Sequence, residues 1–168
     1  MSISFQITAL PAEQFRPLFD MSEEQLARQG AKRCVADAKP GYPCRVSLED
    51  AKVGESLILL PFMHHAVDTP YRASGPVFVC VGARQAQPRA NAVPDSVRLR
   101  LLSVRAYDAD GFLLDADVTE GQHLEVLIER FFADSQVAYL HLHNARPGCY
   151  NCRVDRAGNS ALFGELLR

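Results

Sequence analysis

His141, His143, Asn144, Arg146 and Cys149 fall within nine positions of one another. Imidazole can give or take a proton near neutral pH. A thiol beside imidazole or guanidinium is a better nucleophile than an isolated thiol. His141 and His143 are therefore candidate acid–base groups, and Cys149 is a candidate nucleophile. The competing reading is a solvated face with a surface cysteine, because a polar cluster needs geometry before it means chemistry.

Adding Cys152 gives a His-x-His and Cys-x-x-Cys set, four ligands of the zinc type. The spacing counts against it. If 143 pairs with 149 in a hairpin, Cys149, Asn151 and Arg153 join the histidine face. Tyr150, Cys152 and Val154 then point to the core. Positions 149 and 152 differ by an odd number, so one extended strand cannot aim both at a single metal. Zinc binding stays an alternative function, but no residue is assigned as a metal ligand and no cofactor is implied.

Two further segments hold candidate binding groups. In His64–Arg72, Arg72 can clamp an anion, with Tyr71 stacking or donating a hydrogen bond. The plainer alternative is an Asp68–Arg72 ion pair that only fixes the loop. Arg45 follows Cys44 after the turn cluster Lys39–Pro43. Cys34, Cys44 and Cys80 read as small core residues. There is no glycine-rich phosphate loop, nucleophile elbow or kinase signature.

These residues need elements to hold them. In 137–143, Ala138, Leu140 and Leu142 alternate with Tyr139, His141 and His143, which predicts a strand with one core face and one polar face. The runs 56–62 and 76–81 are short and nearly continuously apolar, as in central strands, with Pro61 limiting the first. The polar stretch His64–Gly75 reads as the loop between them. Residues 3–8, 31–37 and 44–48 read as further strands. Asp108-Ala109-Asp110-Gly111 marks a hairpin between 101–107 and 112–117.

Helices are fewer. Residues 11–19 predict a short helical turn. Ser22-Glu-Glu-Gln25 is a capping-box pattern ahead of a short helix over 23–29, with Gly30 just past its end. The polar stretch 84–96 reads as a loop that ends in a helical turn after Pro94. Thr119-Glu-Gly-Gln122 is a second capping-box pattern. Behind it Leu124, Leu127, Ile128, Phe131 and Phe132 share one helical face.

The whole chain of 168 residues is 48% hydrophobic and 23% charged, with a net charge of −2, which suits one domain over 1–168 with its own core. No basic stripe supports nucleic-acid binding. No apolar run reaches a membrane span of roughly 18 residues, and no secretory leader is visible, so a cytoplasmic location is expected. Five cysteines are then reduced. Only three of the eighteen basic residues are Lys, so fifteen are Arg, the side chain whose planar fork suits carboxylates and phosphates.

Asp37–Arg45, Asp68–Arg72, Arg105–Gly111 and Tyr139–Arg146 with Gly148-Cys149-Tyr150 together resemble an uncharacterised bacterial family, a domain of unknown function numbered 1203. The resemblance runs over roughly 3–156 and implies a small single-domain protein with no assigned activity. Cys152 departs from the pattern, in which a small residue is expected.

The expected fold is α+β: a single domain with a mainly antiparallel twisted sheet, two short N-terminal helices and one longer amphipathic helix at about residues 120–132. The leading functional expectation is a cleft for a small anionic ligand. Arg45, Asp68, Tyr71, Arg72, Asn144 and Arg146 would bind the ligand, and His141, His143 and Cys149 would supply chemistry. The alternative is a homodimeric interaction module that uses the polar face of 137–143, with Tyr139 as anchor.

Overall fold

A computed structural model describes residues 3–158. Its framework is an antiparallel five-stranded sheet. β1 (Phe5–Thr8), β5 (Leu101–Tyr107), β6 (Leu113–Glu120), β7 (Tyr139–Asn144) and β8 (Tyr150–Arg156) lie in the order β1-β8-β7-β5-β6. β2 (Lys32–Val35), β3 (Ser56–His65) and β4 (Ala73–Cys80) form a separate three-stranded antiparallel sheet with β3 central. The mainly antiparallel α+β class is as expected, but the strands divide between two sheets. Among the described residues no helix is long and apolar enough to cross a membrane.

One face of the larger sheet is apolar for a simple reason. Residues paired across antiparallel strands share a face. Ala106–Leu140–Val154 and Val104–Leu142–Cys152 therefore make two continuous rows. Against them packs α4 (Leu124–Phe132), and its five periodic side chains are all buried. Each such burial contributes about 1.5–3 kcal/mol. The second capping box does not form: β6 runs to Glu120, a 3₁₀ turn covers Gly121–His123, and among the described residues no side chain caps α4. Gly121 is needed at this junction because a Cβ there would lie 2.3 Å from the Val97 carbonyl oxygen.

The shorter helices are α1 (Arg16–Phe19), α2 (Glu23–Arg28) and α3 (Asp95–Arg98). At α2 the first capping box is complete, with Ser22 and Gln25 each accepting from the other's backbone N–H. α3 starts directly after Pro94. α1, α2 and β3 share a second apolar cluster through Leu18, Leu26 and Ile58. Pro61 is tolerated inside β3 because β2 pairs only as far as Leu59.

Two further expectations change. Residues 44–48 are not a strand. Leu48 N–H returns to the Cys44 carbonyl, and Leu48 has φ +52. Their alternation reflects burial in two different clusters, Cys44 and Val46 in one and Leu48 in the other. The second change is at β3, which continues through His64 and His65 instead of ending at Phe62.

Candidate functional site

The polar face of the larger sheet carries three cross-strand rows: Tyr107–Tyr139–Asp155, Arg105–His141–Arg153 and Ser103–His143–Tyr150. This face is covered from within the chain. All six residues of β7 are buried. Tyr139, His141 and His143 are therefore neither a solvated surface nor a surface for a second copy, which removes the basis of the homodimer expectation.

Two β-bulges build the cover. On β3, Phe62 faces Gly75 and His65 faces Ala73, so one extra residue sits in β3. Neighbouring strand residues normally point to opposite faces, and a bulge re-aims one of them. His64 and His65 thus both meet His141, with ring centroids 6.2 and 5.0 Å away. On β8, Leu142 faces Cys152 but His143 faces Tyr150, so Asn151 is the extra residue. That brings Tyr150 onto the histidine face, contrary to the simple hairpin register. Its ring stacks on His64 at 5.2 Å and 7°.

The four histidines on this face differ in their partners. His65 is satisfied at both nitrogens, Nδ1 at 2.8 Å from the Tyr71 carbonyl and Nε2 at 2.7 Å from the Tyr139 hydroxyl. His143 uses Nδ1 on the Gly148 carbonyl at 3.0 Å. His64 Nδ1, His141 Nδ1 and His143 Nε2 are buried with no hydrogen-bond partner among the described residues. Each such nitrogen costs about 1–3 kcal/mol relative to a paired one. One ring nitrogen from each of His64, His141 and His143 lies within 4.8 Å of those of the other two.

Electrostatics hold these rings neutral. Burial, then His65 and Arg105, lowers the His64 pKa to about 4. Burial first, and Arg105 among nearby cations, lowers His143 to about 4. His141 is pushed well below its ordinary 6.5 by burial, then by His65 and Arg153.

Behind the turn that joins β7 to β8 lies a cleft of about 560 Å³, lined among others by Arg45, Arg100, Asn144, Arg146 and Cys149. Arg45 is fully buried. Its Nε donates to the Tyr150 carbonyl at 2.7 Å, Nη1 to the Pro43 carbonyl, and Nη2 to Cys149 Sγ at 3.2 Å. No carboxylate pairs with it among the described residues. Arg100 differs, because Asp50 grips it at 2.5 and 2.9 Å. Asp50 Oδ1 also accepts from Gly41 N–H at 3.3 Å, which ties the 41–50 loop to the start of β5. Asn144 receives Asn151 Nδ2 at 2.7 Å, so the bulged residue braces the turn.

Of the residues singled out from sequence, Arg45, Asn144, Arg146 and Cys149 meet in this cleft. His141 and His143 do not line it and lie instead in the buried histidine cluster. Asp68, Tyr71 and Arg72 lie in the β3–β4 connection and do not line it either. Arg72 and Asp68 form an exposed pair at 3.9 Å, the plainer alternative for that segment. The Cys149/Cys152 zinc set is not assembled. Cys152 packs in the apolar core on the opposite face, where burial pushes its thiol up to about 12. Sequence reasoning missed His64, Arg100 and Asp50. A His-His pair ending an apolar run was the only hint of the first, and a bulge has no sequence signature there.

This architecture defines a two-sheet α+β protein in which a buried histidine cluster and an arginine-lined cleft share one turn as their common wall. A family model described as Protein of unknown function (DUF1203) matches residues 41–156, and the chain belongs to that family. The matched span includes the cleft's Arg45 and Cys149 and the whole histidine cluster. No curated protein and no solved structure is significantly similar to the chain.

Proposed function

We propose that the chain binds a small anionic molecule in the cleft between the 41–45 segment and the β7–β8 turn. The observation that carries this reading is Arg45: a buried guanidinium at the cleft wall that is held by two carbonyls and a thiol and, among the described residues, by no carboxylate. A buried cation without a counter-charge is costly, and an anion entering the cleft offsets that cost. Arg146 stands at the rim as a second, exposed guanidinium, and Asn144 supplies a polar amide. The volume suits a small metabolite-sized ligand. The histidine cluster is closed and does not serve as the ligand pocket. The reading places the chain in the cytoplasm, where Cys149 remains a thiol.

Alkylation of Cys149 tests it, followed residue by residue by peptide mass spectrometry. Inorganic phosphate and succinate are the probes, with chloride at matched ionic strength as control. One of the two probes should slow Cys149 alkylation saturably, and Arg146→Ala should weaken that protection. Protection that follows ionic strength alone, or that is unchanged in R146A, removes the reading.

A further inference from the structure

We propose that His64, His141 and His143 form a binding site for one divalent transition-metal ion of the zinc class, which ties the two sheets together. The site is separate from the anion cleft and does not depend on it.

Three independent features support the site. The first is convergence: one ring nitrogen from each residue lies within 4.8 Å of the others. Metal–nitrogen bonds of roughly 2.0–2.1 Å in a tetrahedron put ligand nitrogens about 3.3 Å apart, so small side-chain rotations close the set. The second is the pattern of satisfaction. Among the described residues each of these three rings has a buried nitrogen without a partner, while His65, which touches His141, has both of its nitrogens engaged. A merely packed histidine should look like His65.

The third is the outer support. His143 donates Nδ1–H to the Gly148 carbonyl, which leaves Nε2 as the lone pair. A main-chain carbonyl behind a ligand imidazole is the usual way such a ring is oriented. His64 is held flat against Tyr150, and His141 sits edge-on to Tyr150 at 5.1 Å. His-x-His on one strand with a third histidine from the facing sheet gives three neutral nitrogen donors and leaves a fourth position open.

The donor set chooses the ion. Three imidazoles and no carboxylate suit zinc, copper or nickel and disfavour magnesium and calcium. The cysteines do not complete the set: Cys152 lies on the opposite face, and Cys149 is bonded to Arg45. Arg105 and Arg153 flank His141 across the sheet. Arg153 is paired with Asp155 at 2.8 Å. These cations favour an anionic occupant, such as hydroxide, at the fourth position.

The test uses the tag-free full chain after chelator treatment. Zn²⁺ titration against a competing chelator should give one equivalent bound. Co²⁺ should give tetrahedral visible bands without a thiolate charge-transfer band. His64→Ala and His143→Ala should each weaken binding by more than about 100-fold, beyond the range typical of outer-shell partners. His123→Ala, at an exposed position, should bind like the parent. Should a cluster variant fail to fold, imidazole-nitrogen NMR of the parent decides. Three of the five histidines should shift in one-to-one proportion with Zn²⁺, while His65 and His123 stay fixed. No stoichiometric uptake, a thiolate band, or equal binding by H64A and the parent overturns the proposal.

Discussion

Arg45 donates from Nη2 to Cys149 Sγ at 3.2 Å, although 104 positions separate the two in the chain. The same guanidinium holds the Tyr150 and Pro43 carbonyls. It therefore fastens the loop after Pro43 to the start of β8 and forms the wall of the cleft at once.

Arg45→Met should be far more damaging than Arg146→Ala. The first leaves two buried carbonyls unpaired and should cost about 3 kcal/mol or more. The second removes an exposed side chain and should stay within about 0.5 kcal/mol. Urea denaturation of both variants checks this. Equal, small losses would mean that Arg45 does not hold the loop.

Tyr139→Phe removes the hydroxyl 2.7 Å from His65 Nε2 and should cost about 1 kcal/mol. It should leave Zn²⁺ stoichiometry unchanged, because His65 is a structural histidine. Thermal melts paired with metal titration read both outcomes. A loss of metal binding would show that the His65–Tyr139 bond also orders the cluster.

Gly121→Ala places a Cβ against the Val97 carbonyl at 2.3 Å and against Arg98 backbone atoms at 2.7 Å. Backbone cannot step aside as a flexible side chain can. The expected loss is about 3 kcal/mol, near the top of the usual overpacking range. A melting temperature close to the parent's would mean that the α3–α4 junction yields easily.

Cys152 gives an alkaline prediction. Burial raises its thiol from an ordinary 9.0 to about 12. Above pH 9 the unfolded chain loses this proton while the folded chain keeps it. The folded-state contribution is thus complete below pH 9 and is lost as pH rises from 9 towards 12. The slope is about 1.4 kcal/mol per pH unit for this one group. Cys152→Val removes it, so the stability difference between variant and parent should be flat below pH 9 and then move in the variant's favour. Guanidinium denaturation from pH 7 to 10.5 measures it. Parallel curves would show that Cys152 is not proton-linked to folding.

Local chemistry was legible where a few neighbouring residues decide it. The capping box at Ser22–Gln25, the turn ending in Gly111 with φ +90, and the apolar stripe from Leu124 to Phe132 all formed as read. The second capping box failed because Glu120 already belongs to β6, whose pairing with Leu101 outweighs a side-chain cap. Residues 44–48 carry a strand-like alternation without forming a strand, because alternate burial in two clusters imitates strand periodicity.

Sequence alone determined that β7 has an apolar face and a Tyr-His-His face, because side chains alternate along any strand. It also marked Arg45, Asn144 and Arg146 as ligand-binding candidates and Cys149 as a candidate nucleophile, and these four line one cleft. What covers the polar face was decided only by tertiary structure. Two single-residue bulges, in β3 and β8, shift the register enough to deliver His64 and Tyr150 to it. A bulge arises from the balance of packing and hydrogen bonds over two whole strands, so no short run of residues announces it. That shift converts a His-x-His pair with no visible third partner into a closed cluster of three.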